Sequence, residues 1–318
     1  WAKDRISRCF FGPINRPPLN RDELLDDVDY YPDALLERLA RDGVNGLWLT
    51  VEFRQLASTR FLPRDPDAER RLAKLNRTIA KCAKYGIRIW LFSIEPREVE
   101  FKADPLALAH PNWIGCTYDD TMGTLCASEP EVLEYVEAST QDIFARAPGL
   151  GGLINISNGE RVTSCLSLYG HPKWWTCPRC RGKSRGKLHH LVTGAMIRGM
   201  RRSNPRAELI SWLYLDGASY DCPWIAESAA STPEGVTQMN NFETGLELFQ
   251  EGRWRKGDDY WLAQSGPADQ FRRTAAAARA AALAPRPLGS ARTVAPLRTS
   301  AVERSVSFGK ERESFISA

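Results

Sequence analysis

Two kinds of hydrophobic pattern alternate along this chain. Stretches with apolar residues about every three or four positions are helical faces, and short continuous apolar runs are buried strands. Pro32 opens a helix with Leu35, Leu36 and Leu39 on one face, and Gly43 stops it. Val44 to Val51 follows as a strand ending at Glu52 and Arg54. The unit then repeats: Leu72, Leu75, Ile79 and Cys82 mark a helix, Gly86 caps it, and the strand Ile87 to Ile94 ends at Glu95-Pro96. Residues 97 to 124 read as a long loop holding Trp113 and the pair Asp119, Asp120. Ser128-Glu129-Pro130-Glu131 reads as a capping box opening a helix. Val132, Tyr135, Val136, Ile143 and Phe144 give that helix its buried face, and Pro148-Gly149 ends it. The next apolar run leaves Gly151-Gly152, turns polar at Asn155, and finishes on Glu160.

Consecutive helix–glycine–strand units with near-continuous apolar strands imply parallel strands joined by crossover helices. Eight such units close a (β/α)8 TIM barrel in about 250 residues. A doubly wound open sheet competes, although no G-x-G-x-x-G fingerprint follows an early strand. Arg8 to Gly12 reads as a first strand and 188 to 202 as a helix. Strands follow at Leu209 to Leu215, ending at Asp216, and at Val236 to Met239, ending at Asn240, Asn241 and Glu243. Tyr260 to Ala263 is another, with Trp261 in it, and 268 to 284 is a helix. The expected organisation is a barrel over 1–284, imperfect at its end. The segment 285–318, rich in Pro, Arg and Ser, is degenerate, truncated or disordered. Within it Thr293 to Leu297 is a candidate last strand interrupted by Pro296.

Composition narrows the classes. The 318 residues are 43% hydrophobic and 26% charged, which is a globular balance. The formal net charge of +4 is small for the length and does not point to nucleic acid. No apolar run approaches the ~20 residues of a membrane span. The chain begins at Trp1 without a basic-then-apolar leader, as a fragment or a processed form would. A cytoplasmic setting is the first expectation, and a secreted one applies to a processed form. Eight cysteines in this length are not a disulfide-scaffold density.

Three features carry candidate chemistry. Carboxylates stand at strand ends, at Glu52, Glu95, Glu160, Asp216 and Glu243. A barrel gathers those ends around one pocket, and glycoside hydrolysis needs a general acid with a second group at the anomeric centre. Each acid alone also suits a solvated loop or an ion pair. Ten tryptophans are present. Trp48 and Trp90 read as core, whereas Trp174, Trp175, Trp212, Trp254 and Trp261 sit near strand ends or in loops, where indoles can stack on sugar rings. Cys177-Pro178-Arg179-Cys180, with Cys165 and His171 before it, is a metal-knuckle pattern. The reading is a structural zinc on Cys165, His171, Cys177 and Cys180, with His189 or His190 as other fourth ligands; free thiols or a disulfide are the alternatives. No catalytic cofactor is expected. Lys173, Arg179, Arg181, Lys183, Arg185 and Lys187 make the loop basic, which fits a solvated loop or a nucleic-acid contact.

The order of these elements resembles the catalytic barrel of family 20 glycoside hydrolases, the β-N-acetylhexosaminidases, and especially their distant bacterial relatives. Arg8-Cys9-Phe10-Phe11 lies where the family has Arg-Gly before its first strand. Tyr85 to Trp90, leading to Ile94-Glu95-Pro96, is similar to the strand that ends in an acid and a proline. Leu125 to Val132 resembles the segment opening the helix before the catalytic strand. Asn155 to Glu160 lies over the family's His-x-Gly-Gly-Asp-Glu. The resemblance implies that Glu160 is the general acid/base and that Arg8 holds sugar hydroxyls. Gly159 stands where the family has the Asp that orients the substrate's acetamido group, so Asp216 or Glu243 is the expected substitute. Glu95, Asn158, Trp212 and Trp261 complete the expected pocket. The implied activity is exo-acting hydrolysis of a terminal β-linked amino sugar or related β-glycoside. A non-catalytic carbohydrate-binding relative and a zinc-knuckle interaction protein are the other readings.

Overall fold

Six parallel strands lie side by side in the order in which the chain makes them, and that order decides the architecture. They are β1 (Ile6–Arg8), β2 (Gly46–Thr50), β3 (Arg88–Ser93), β7 (Gly152–Asn158), β8 (Glu208–Leu213) and β9 (Val236–Asn240). A doubly wound sheet reverses its strand order at a switch point; this sheet never does, so it belongs to the barrel type. The computed structural model describes residues 3–8, 22–159, 161–214, 222–230, 232–241, 247–256 and 267–283. Among these the sheet is a curled half-barrel with helices on its outer face. The curl shows in one distance. Trp48 on β2 and Trp212 on β8 are three strands apart, about 14 Å in a flat sheet, yet their ring centroids are 5.9 Å apart.

The two faces of the sheet carry different residues. Leu47, Leu49, Ile89, Leu91, Leu153 and Leu209 point outward into the main core. There they meet α1 (Asp33–Arg41), α3 (Ala68–Ala83), α5 (Pro130–Arg146) and α6 (Arg185–Ser203). Ile6, Trp48, Trp90, Phe92, Ile154, Ile210, Trp212 and Met239 pack together on the concave side. Trp90 fills the bottom of that side because its neighbours are glycines. A Cβ on Gly152 would lie 2.3 Å from Trp90 Cζ3 and 2.3 Å from the Glu208 carbonyl oxygen.

The expected helix faces form with one exception. Leu72, Leu75, Ile79 and Cys82 are buried, as are Val132, Tyr135, Val136, Ile143 and Phe144. On α1 Leu36 is buried but Leu35 is 40% exposed, because the two are adjacent and cannot share one face.

Residues 97 to 124 are not a plain loop. They hold β4 (Val99–Glu100), α4 (Pro105–Ala109), β5 (Ile114–Tyr118) and β6 (Met122–Leu125), the strands making a small antiparallel sheet. Asp119 and Asp120 form its hairpin turn at φ 52° and 56°, the left-handed geometry that short polar side chains tolerate. The capping box at Ser128 also fails to form. Glu129 is the N-cap with no side-chain cap, and Pro130 takes the first helical position. Tertiary partners take its members instead: Ser128 Oγ lies 3.2 Å from Cys180 Sγ, and Glu131 accepts the Trp113 indole N–H at 2.9 Å.

Five further elements lie outside the parallel sheet and its main helices. α2 (Phe53–Leu56) follows β2, and α7 (Cys222–Ala230) lies between β8 and β9. The antiparallel pair β10 (Glu247–Gln250) and β11 (Arg253–Lys256) precedes α8 (Asp269–Leu283). The expected strands at 260–263 and 293–297, and all of 285–318, lie outside the described residues. No helix among the described residues is long and apolar enough to cross a membrane.

Candidate functional site

The C-terminal ends of the parallel strands define the mouth of the half-barrel, where barrel enzymes place their chemistry. Trp48, Phe92 and Trp212 line the concave face just below it, each half-buried. Trp48 and Phe92 are 4.6 Å apart by ring centroid, and Phe92 and Trp212 6.4 Å. Trp48 is therefore part of the concave surface rather than enclosed core; the enclosed indole of this face is Trp90. Trp212 is fixed by its neighbours. Its indole N–H donates to Asn241 Oδ1 at 2.8 Å, and Tyr214 packs against it edge-on at 5.1 Å.

Arg8 ends β1 in register with Trp48 on β2. Asn158 ends β7, buried, with its carbonyl accepting the Tyr214 N–H at 2.8 Å. The register shifts between Ile156 and Asn158, a bulge that re-aims the strand end. Gly159 follows in a confined place. A Cβ there would stand 2.9 Å from the Tyr214 carbonyl oxygen and 2.9 Å from Ile156 Cγ2, so this backbone has no room for the family's Asp. Glu160, Asp216, Glu243 and Trp261 lie outside the described residues.

Glu95 has a role that its position alone does not reveal. It is 5% exposed, and both carboxylate oxygens accept backbone N–H groups, from Phe53 at 2.9 Å and Arg97 at 3.0 Å. The first of these is the N-terminus of α2. Burial raises the Glu95 pKa above the ordinary carboxylate value, against the pull of the two N–H donors and of Arg54. Glu52, the other early strand-end acid, pairs with Arg97.

A buried polar chain that sequence reading missed runs beneath these strand ends. His189 on α6 makes two short contacts, Nδ1 to Ser228 Oγ and Nε2 to Ser211 Oγ, each at 2.6 Å. Ser211 Oγ is 2.7 Å from Ser157 Oγ. Asn155 Nδ2 donates to Ser157 Oγ at 3.3 Å, and Asn155 Oδ1 accepts the Ser93 hydroxyl at 2.7 Å. The chain therefore crosses β8, β7 and β3 from the helical layer. Burial, with a smaller push from His190, lowers the His189 pKa to about 3 and keeps the ring neutral. One signal was available: Asn155, Ser157 and Ser211 are polar at outward positions of apolar strands.

The cysteines gather elsewhere, on the flank of the half-barrel. The Sγ atoms of Cys126, Cys165, Cys177 and Cys180 lie within 4.8 Å of one another, and all four residues are buried. The thiols share hydrogen bonds, which lower Cys126, through Cys165, and Cys177, through Cys126, and raise Cys165 and Cys180. The three expected histidines stand apart from this group. His171 Nδ1 accepts the Lys173 and Trp174 backbone N–H groups at 3.2 Å, and its ring stacks on Trp174 at 4.1 Å. His189 is in the polar chain, and His190 Nε2 faces the Ser228 carbonyl. Trp174 and Trp175 pack around the cysteines rather than at the mouth, and Trp254 is exposed on β11. Several basic loop side chains are engaged locally. Arg179 binds Glu129 and the Ile114 carbonyl, Lys183 the Arg179 carbonyl, and Arg185 lies over Tyr169 and Trp224.

No sequence-family profile and no curated protein matches the chain. It is similar in fold to solved glycoside hydrolases. A GH138 enzyme targeting pectin rhamnogalacturonan II is 12% identical over 68% of this chain and 22% of its own, at a TM-score of 0.41. The β-N-acetylhexosaminidase from Bacteroides fragilis is 13% identical over 75% of this chain and 46% of its own, at 0.42. The O-GlcNAc hydrolase from Thermobaculum terrenum is 9% identical over 65% of this chain and 37% of its own, at 0.40. This chain thus spans less than half the length of each of these structures.

Proposed function

We propose that this chain is a glycoside hydrolase barrel that acts on a terminal β-linked sugar, an amino sugar or a related β-glycoside. The observation that carries the reading is the aromatic floor of Trp48, Phe92 and Trp212 on the concave face under the strand ends. Half-buried rings there offer apolar faces to sugar C–H groups. The resemblance of Asn155 to Glu160 to the family's catalytic motif supports Glu160 as general acid/base, and Arg8 as a fork for paired hydroxyls. Asp216 and Glu243 are the candidates for the second group, and Asn158 and Trp261 are further candidates for substrate binding. The crowding around Gly159 means that orientation of an acetamido group, if the substrate has one, falls to another residue. Glu95 acts by position, holding α2 and the turn after β3.

Hydrolysis of aryl β-N-acetylglucosaminide, β-N-acetylgalactosaminide, β-glucoside and β-galactoside by the intact chain and by Glu160→Gln tests this. Turnover that falls at least ~10²-fold in the folded variant is the expected result. Unchanged turnover in Glu160→Gln removes the assignment. Sugar binding without turnover by the intact chain is the signature of the non-catalytic relative.

A further inference from the structure

Four sulfurs from separate parts of the chain meet in one buried place. Cys126 follows β6, Cys165 lies in the turn after β7, and Cys177 and Cys180 form the knuckle before α6. Cys126 Sγ is 3.5 Å from Cys177 Sγ and 3.6 Å from Cys180 Sγ. A disulfide needs about 2.05 Å. A tetrahedral ion with bonds of about 2.3 Å sets its sulfurs about 3.8 Å apart, close to both Cys126 distances and inside the 4.8 Å that encloses all four sulfurs. Iron–sulfur clusters put two or more irons between their thiolates and need a wider cage than the 4.8 Å limit here. The donor set is all sulfur, with no carboxylate in the group, so it suits a soft ion in a closed structural site.

We propose that Cys126, Cys165, Cys177 and Cys180 bind one structural Zn²⁺ as a tetrathiolate. Binding exchanges the thiol protons for the ion, up to one proton released per sulfur. Supporting groups are in place around it. Ser128 Oγ lies 3.2 Å from Cys180 Sγ, and Thr124 Oγ1 lies 3.2 Å from Cys165 Sγ. Arg179, inside the knuckle, binds Glu129 at 2.9 Å and the Ile114 carbonyl at 2.7 Å. The ion would brace the segment that leaves β7 against the β5–β6 hairpin and the start of α5. The loop beyond Glu160 would then be held from below by metal.

The test is metal analysis of the full chain purified without chelator. About one zinc per chain is expected, lost in Cys126→Ser and kept in His171→Ala. A second measurement covers a Cys126→Ser chain that does not fold. Cobalt exchanged into the intact chain should give a thiolate-to-metal charge-transfer band and the intense visible bands of a tetrahedral ion. Iron in place of zinc, no bound metal, a disulfide among the four cysteines on alkylation and mass analysis, or zinc retained in folded Cys126→Ser would each overturn the proposal.

Discussion

The side-chain amide of Asn155 holds the backbone of Glu95 at both its polar groups. Oδ1 accepts the Glu95 N–H and Nδ2 donates to the Glu95 carbonyl, each at 2.9 Å. β7 thereby fixes the turn that leaves β3, and Glu95 in turn caps α2. Asn155→Ala leaves two buried backbone groups and the Ser93 hydroxyl without their partner. The expected cost is about 2–3 kcal/mol, read as a lower urea midpoint with an unchanged slope. A loss below ~0.5 kcal/mol would show that the amide is not a structural tie.

His189 predicts how stability responds to acid. Its folded pKa of about 3 is depressed below the ordinary value of about 6.5. A depressed pKa contributes stability that is present above the unfolded value and lost as pH falls toward the folded one. Between pH 7.5 and 5 the unfolded chain takes up a proton that the folded ring refuses. Intact protein should therefore lose about 2 kcal/mol more than His189→Gln over that range. Parallel pH profiles for the two proteins would contradict a neutral buried ring.

The glycines divide by what surrounds them. Gly152→Ala drives a Cβ into Trp90 and into the Glu208 carbonyl oxygen, and backbone does not yield as a flexible side chain does. A loss of roughly 3 kcal/mol or more is expected in thermal or urea melts. At Gly182 an added Cβ meets nothing within 4 Å, so Gly182→Ala should stay within about 0.5 kcal/mol of the intact protein. Equal effects at both positions would mean that the Trp90 layer is not tightly packed.

The legible part of this fold was its repeat of helix, glycine and apolar strand, because burial on both faces leaves an unbroken apolar run. That pattern placed β2, β3, β7, β8 and β9 within a residue or two. The β5–β6 hairpin was hidden because its turn is Asp119-Asp120, without the glycine that usually announces one. Cys126 was hidden for another reason. It stands alone in the sequence, 51 residues from Cys177, and only the fold brings the two sulfurs together. Ser128 and Glu131 have the spacing of a helix cap, yet contacts with Cys180 and Trp113 took precedence. The polar chain from Ser228 through His189 to Ser93 joins residues on five elements, a relation that no local spacing records.

The proposed function requires a sugar ring to rest on Trp48, Phe92 and Trp212. Calorimetric titration of the same sugars into Glu160→Gln, with and without Trp212→Ala, tests it without interference from turnover. Saturable binding of at least one sugar is predicted, weakened about tenfold, or ~1.4 kcal/mol, by Trp212→Ala. Binding that ignores Trp212→Ala, or none across the panel, would contradict it.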